Sequence, residues 1–396
     1  MAIPPEGQEK WPVMVFSHGL GGSRNAYSHI TGSLASHGMV VVAAEHRDGS
    51  APISFIHSTD RSSPKPVDYV SVPHRSSPEV EEQRIDQLKI RLWELGLIHD
   101  ALLKMADGKS LTNVAADAPR DDADRHGFAS LIDVHTPGKI SWSGHSFGAA
   151  TVVQFVKSVY YPTPRDSRGY EALYSPSSDS QVSKQITSLS PVALLDLWAL
   201  PLHFPKTSWL LEKPMPAYQS ANGSPPLAVL SEAFFKWTSN LRNIKHVLSP
   251  QSKQRTKLAP LIFYPTSSAH LSQSDFGPLF PWLTKKVFKA ENPERTLRLN
   301  VRAILENLRR SGIKVADTSD VDMELGELSI SGAKGIEEKQ KFPLGQDHQI
   351  LAADGSVKGW VSVPLSGRNG IANANGHAIE AENPNEAVME GEVMKE

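Results

Sequence analysis

The sequence predicts an α/β fold, a mostly parallel sheet with helices on both faces. Three observations carry this. Short apolar runs at Val13–Phe16, Met39–Ala44, Val192–Leu195, Leu227–Leu230 and Leu261–Tyr264 read as buried strands. Stretches of helical period at 80–105 and from Pro293 to near Gly312 supply long helices. Strands and helices alternate along the chain, which is the pattern of a parallel sheet with crossover helices. In such sheets ligands bind beyond the C-terminal strand ends, so residues just after strands are the first candidates for chemistry.

Taken in order, Val13–Phe16 feeds a glycine-rich loop, Ser17–Gly22, and 26–36 then reads as a helix stopped near Gly38. The Met39–Ala44 strand leads into Glu45, His46, Arg47 and Asp48. Residues 57–79 are polar and rich in proline and serine, which predicts a loop. Ile85, Leu88, Leu92, Leu95, Ile98 and Leu102 recur at helical spacing, so 80–105 is a long amphipathic helix. Residues 107–137 read as mostly irregular. Lys139–Ser143 is a short strand and Ala149–Val156 a helix, with Gly144-His145-Ser146-Phe147-Gly148 between them. The last clear helix opens with Asn292 as N-cap and Pro293 at its first position, and buries Leu297, Val301, Ile304, Leu305 and Leu308.

Composition narrows the function classes. The chain has 396 residues with 41 basic and 43 acidic side chains, a net charge of −2, so nothing marks it for nucleic acid. It has no cysteine, which excludes disulfides, thiol nucleophiles and cysteine metal sites. No apolar stretch approaches the roughly 18 residues of a transmembrane helix. The opening residues of this sequence lack the apolar core of a signal peptide, so the chain as written is expected in the cytoplasm. One domain is expected over 1–315. Residues 316–396 are rich in Gly, Glu, Asn and Ala, and read as a largely disordered polar tail with a minor strand at Trp360–Val363. Deleting the tail from about residue 325 is expected to leave stability and turnover unchanged.

Residues Gly144–Gly148 fit the G-x-S-x-G nucleophile elbow, with strand before and helix after. The turn is so tight that the serine's neighbours must be small, and it lifts Ser146 above the sheet at a helix N-terminus. A serine nucleophile needs a base, an acid that orients the base, and two N–H donors for the oxyanion. Asp196 directly ends the Val192–Leu195 strand and is the candidate acid. Its competing reading is a cap or a solvated loop residue. His270 follows the Leu261–Tyr264 strand and is the candidate base; His203, His246 and His348 compete, but none directly follows a recognisable strand. The N–H groups of Phe147 and Leu20 are the candidate oxyanion donors. His18 and His145 read as structural hydrogen bonders. Glu45, His46 and Asp48 fit no metal spacing and read as loop ion pairs or caps, so no metal or cofactor is expected. The apolar stretch from Leu197 to Phe204, with Trp209–Leu211, can line an acyl pocket, touch a lipid surface or simply pack.

These residues together resemble the platelet-activating-factor acetylhydrolases of the plasma/type II kind, which are lipase-like α/β-hydrolases. Phe16–Gly21, Leu34–Gly38, Val42–Asp48, Gly144–Thr151, Leu194–Trp198 and Ser268–Phe276 carry the likeness, from about residue 11 to about 311. The resemblance implies the α/β-hydrolase fold, with Ser146 as nucleophile, Asp196 as acid and His270 as base. It implies Leu20 and Phe147 as the oxyanion hole, and calcium-independent removal of a short or oxidised sn-2 acyl group from a phospholipid. Two other functions fit the same residues: a general short-chain or polyester esterase, and a catalytically dead interaction protein. The likeness begins close to the first strand of this sequence, whereas such enzymes carry strands before it, so a shortened N-terminus is expected. Segments 157–190 and 199–224 are longer and more irregular than the family core needs.

Overall fold

The structure is a computed structural model, and it describes residues 9–58, 62–74, 76–111, 127–162, 172–250, 258–317, 348–352, 357 and 359–365. Its centre is a seven-stranded sheet in the order β2-β1-β5-β6-β7-β8-β9. The strands are β1 Val13–Ser17, β2 Val40–Ala43, β5 Ser141–His145, β6 Val192–Leu195, β7 Leu227–Val229, β8 Leu261–Pro265 and β9 Trp360–Ser362. All neighbours run parallel except β9, which pairs antiparallel with β8. Parallel strands with crossover helices and a tight G-x-S-x-G strand-to-helix turn after β5 make this the α/β-hydrolase fold.

The strands alternate between two apolar layers, as their period of two requires. Val13 and Val15 of β1 face one layer, with α2 Pro78–Ala106 and α3 Phe147–Tyr160. Met14 and Phe16 face the other, with α1 Ser28–Ser36 and α10 Pro293–Arg310. Short helices fill the loops: α4 Gln181–Gln185, α5 Ser208–Leu211, α6 Glu232–Lys236, α7 Thr238–Leu248, α8 Phe276–Leu279 and α9 Pro281–Phe288. The Asn292 cap does what the sequence predicts, and α2 begins at a cap in the stretch read as loop. Ser77 accepts from the Val80 N–H ahead of Pro78 in α2, and Asn292 accepts from the Arg295 N–H 2.9 Å away ahead of Pro293 in α10.

Three features differ from the sequence reading. The region 57–79 is not all loop: β3 Ile53–Ile56 and β4 Lys65–Asp68 form a separate antiparallel pair. Most of its side chains are exposed, so no apolar alternation betrays it. The Met39–Ala44 run forms a half-buried strand, because β2 is the outermost strand of the sheet among the described residues. The third difference lies in the segment read as a tail. There α11 His348–Ala352 buries Ile350 and Leu351 against α10, and the strand expected near Trp360 joins the sheet as β9. Trp360 stacks on Phe263 of β8 with centroids 5.2 Å apart, and its indole N–H donates to the Ile350 carbonyl. Two short apolar patches dock here although the surrounding composition is polar. The rest of that segment lies outside the described residues.

Candidate active site

The elbow explains its own glycines. Ser146 adopts φ 56° and ψ −118°, a left-sided conformation that costs backbone energy and that the flanking contacts enforce. A Cβ on Gly148 would lie 2.1 Å from the Ser17 carbonyl oxygen, and one on Gly144 2.5 Å from the Gly148 backbone. Only hydrogen fits at either position. The Ser146 N–H donates to Leu195 at 2.9 Å, which ties the elbow to the end of β6.

Asp196 leaves β6 with φ 44° and is fully buried. One carboxylate oxygen accepts from the Ser231 N–H, and the other meets His270 Nδ1 at 2.8 Å. Burial pushes the Asp196 carboxyl up from its ordinary range, and the hydrogen bond to His270 works against that rise. His270 opens a short turn after β8. Its ring lies between Phe234, stacked at 4.4 Å, and His145, tilted at 4.4 Å. Ser146 and His270 line one cavity of about 290 Å³, with Leu20, Tyr27, His74, His145, Trp198, Phe234, Trp237 and Phe276 among its other walls.

Of the two expected oxyanion donors, one belongs to the cavity wall and the other adjoins it through Ser146. Leu20 lines the cavity, and Phe147 begins α3 directly after Ser146. Among the described residues, neither N–H has a hydrogen-bond acceptor in the loops and turns. Their neighbours are tied down. The Gly19 N–H donates to Tyr27 Oη at 3.0 Å, and the Gly21 N–H to the Ser50 carbonyl at 2.8 Å. Tyr27 Oη also meets His145 Nδ1 at 2.9 Å, and burial pushes its phenol up to about 12. His18 and His145 are buried, and burial first of all holds both well below the ordinary histidine range. Both act as neutral hydrogen-bonding groups.

His145, Asp196 and His270 bring ligand-type atoms within 4.8 Å of one another. Asp196 already engages Ser231 and His270, and His145 Nδ1 engages Tyr27, so these groups already hold hydrogen-bond partners within the protein. Of the competing histidines, His203 and His246 are not in the cavity wall, and His246 faces Glu212 at 3.5 Å. His348 belongs to α11. Glu45, His46 and Asp48 divide their roles. Asp48 pairs with buried Arg91 at 2.6 Å, His46 Nδ1 meets Glu94 at 2.8 Å, and Glu45 faces Arg24 and His18. Of the 197–211 stretch, Trp198 reaches the cavity, whereas Leu197, Ala199, Leu202, Phe204 and Leu211 pack in the core.

Sequence reasoning missed Tyr27, Arg91, Phe234 and Trp237. Tyr27 and the two α6–α7 aromatics carry no local signal. Arg84, Gln87, Arg91 and Glu94 do carry one: they fall at helical spacing within the apolar stripe of α2, where a polar group must be buried.

The model of the family described as platelet-activating factor acetylhydrolase, isoform II, matches residues 2–328. A Schizosaccharomyces pombe protein named "Putative phospholipase A2" is 26% identical over 337 residues, 78% of this chain and 70% of that one. The platelet-activating factor acetylhydrolase of Gallus gallus is 28% identical over 290 residues, 71% of this chain and 56% of that one. That of Bos taurus is 38% identical over 149 residues, 37% of this chain and 32% of that one. The chain therefore spans little more than half of one of these two acetylhydrolases and a third of the other. With a match across most of its length, the chain belongs to the platelet-activating factor acetylhydrolase, isoform II, family.

Proposed function

We propose that the chain is a serine hydrolase that removes a short or oxidised sn-2 acyl group from phospholipids. Family membership supports the coarser part of this reading, a lipid-ester hydrolase. One observation carries the finer part: His270 bridges a buried carboxylate, Asp196 at 2.8 Å, and the cavity that Ser146 lines. In the proposed reaction the other ring nitrogen of His270 takes the Ser146 proton as Oγ attacks the ester carbonyl. The N–H groups of Leu20 and Phe147 hold the oxyanion. His270 then gives its proton to the leaving lysophospholipid oxygen. Water, deprotonated by the same ring, releases the acid from the acyl-enzyme.

The cavity fits the substrate class. Its walls are largely aromatic, and its volume accommodates a short acyl chain. Its rim is apolar and open to solvent: Leu279 is 69% exposed and Phe280 51%, and Trp282 in adjoining α9 is 68% exposed. Lys285 and Lys286 follow on α9, beside the groups an amphiphile would present. The lipid-facing surface in this reading is therefore the α8–α9 rim, and not the 197–211 stretch.

A fluorophosphonate probe tests the nucleophile. It should label the wild type at Ser146 and leave folded Ser146→Ala unlabelled and inactive. His270→Ala and Asp196→Asn should each lower kcat by about 10³-fold or more. Comparing a choline phospholipid bearing an sn-2 acetyl group with p-nitrophenyl acetate tests the substrate. A strong preference for the nitrophenyl ester would support the general esterase instead. A folded protein that takes no label would make the chain a non-catalytic member.

A further inference from the structure

Under the Leu20 loop lies a buried cation to which the reaction as described assigns nothing. Arg91 of α2 is fully buried, and its guanidinium donates in three directions. Nε donates to Asp48 Oδ2 at 2.6 Å, Nη1 to the His18 carbonyl at 2.7 Å, and Nη2 to Ser50 Oγ. The Ser50 carbonyl in turn accepts the Gly21 N–H at 2.8 Å. The two peptides flanking the Leu20 N–H are thus held by one group, directly on the His18 side and through Ser50 on the Gly21 side. The same guanidinium carbon lies 4.6 Å from the centroid of the Phe147 ring. Phe147 supplies the other expected oxyanion donor.

Stability alone gives little reason for this arrangement. A buried ion pair is often no more stable than apolar residues of the same volume, because both ions lose their water. Burial by itself would raise the Asp48 carboxyl, yet Arg91 beside it holds the group well below the usual carboxylate range, so the pair stays ionic. A planar fork gives what an apolar plug lacks, fixed directions to several acceptors at once.

We propose that Arg91 is a positioning residue that sets the distance between the two oxyanion donors, Leu20 and Phe147. This rests on the serine-hydrolase reading above. A second buried array braces the same loop: Ser17 Oγ meets His46 Nε2 at 2.8 Å, and His46 Nδ1 meets Glu94 at 2.8 Å. Ser17 has no exposure, so that array serves as a strut.

The test compares the wild type with Arg91→Lys, which keeps the charge beside Asp48 and loses the fork. Three quantities are read: melting temperature, kcat and KM on p-nitrophenyl acetate, and the inhibition constant of an alkyl trifluoromethyl ketone. The ketone accepts the serine oxygen and leaves an oxyanion in the hole. Losing one oxyanion donor costs about 10²–10³ in kcat. Arg91→Lys is expected to lose about 100-fold in kcat, with KM within about three-fold and a parallel loss of ketone affinity. Should this variant fail to fold, Ser50→Ala leaves the Ser50 carbonyl under the Gly21 N–H but removes the Oγ that ties it to Arg91 and Asp48, and it is expected to lose about ten-fold in kcat and in ketone affinity together. Wild-type kcat in whichever variant folds would overturn the proposal. So would a kcat loss without a loss of ketone affinity. A wild type that takes no fluorophosphonate at Ser146 would instead overturn the underlying reading.

Discussion

Phe234 lies face to face with His270, ring centroids 4.4 Å apart and planes 11° apart. With Asp196 holding one ring nitrogen, the stacked face removes the remaining rotation, so the imidazole has one orientation toward the cavity. An aromatic contact of this kind contributes about 0.5–1.5 kcal/mol beyond area burial. On the proposed chemistry, Phe234→Ala should lower kcat roughly ten-fold, whereas Phe234→Tyr should stay near wild type. Kinetics on p-nitrophenyl acetate would check it, and unchanged turnover in the alanine variant would show that Asp196 orients the ring unaided.

Gly148→Ala tests the packing of the elbow. The added methyl would meet the Ser17 carbonyl oxygen at 2.1 Å, and both sides of that contact are backbone. The helix and β1 would have to part. We expect a loss of about 3 kcal/mol or more, seen as a large drop in melting temperature or as failure to express in soluble form. A melting temperature like the wild type's would mean that the elbow backbone can move.

Lys157 gives a pH-dependent prediction. It is buried in α3 with its ammonium donating to the Leu210 carbonyl at 3.2 Å, and burial lowers it from 10.5 to about 7. A base depressed in the folded state contributes stability above its unfolded pKa and loses it as pH falls through the folded one. Wild-type stability relative to Lys157→Met should therefore fall as pH drops from about 10.5 to about 7. By pH 6 the methionine variant should lead by on the order of a few kcal/mol. Denaturant unfolding at pH 6, 8 and 10 reads this, and a difference independent of pH would show that Lys157 stays charged.

Removing the segment from residue 348 onward takes away α11 and β9 together. It uncovers one edge of β8 and the faces of Phe263 and α10. The melting temperature should fall clearly. Trp360→Ala alone should cost about 3 kcal/mol. Turnover of the folded fraction should stay close to wild type, because no described residue of that segment lines the Ser146 cavity. An unchanged melting temperature in both variants would restore the reading of the whole segment as a tail.

Where the information is local, the sequence by itself determined it. The apolar runs gave β1, β6, β7 and β8, because a strand buried on both faces needs an unbroken apolar run, and its place just before the G-x-S-x-G pattern gave β5. Asn292 before Pro293 gave the start of α10, and the apolar period gave α2. The G-x-S-x-G pattern singled out Ser146 because a turn this tight admits only glycine at Gly144 and Gly148. Only the tertiary structure decided the rest. The β3–β4 pair leaves its apolar side chains Ile53, Phe55 and Ile56 exposed, so no core-facing pattern marks it. The strand at Trp360 is legible, but its pairing with β8 is not, and Ile350 looks like a stray apolar residue until α10 is brought beside it. Phe234 and Tyr27 carry no motif, and for Arg91 the apolar stripe of α2 signals burial but not which groups it holds. Their partners, His270, His145 and the His18 carbonyl, lie 36, 118 and 73 positions away or more simply on other elements, and only chain closure makes them neighbours. A hydrogen bond or a stacked ring acts over a few ångströms of space, and sequence distance does not encode it.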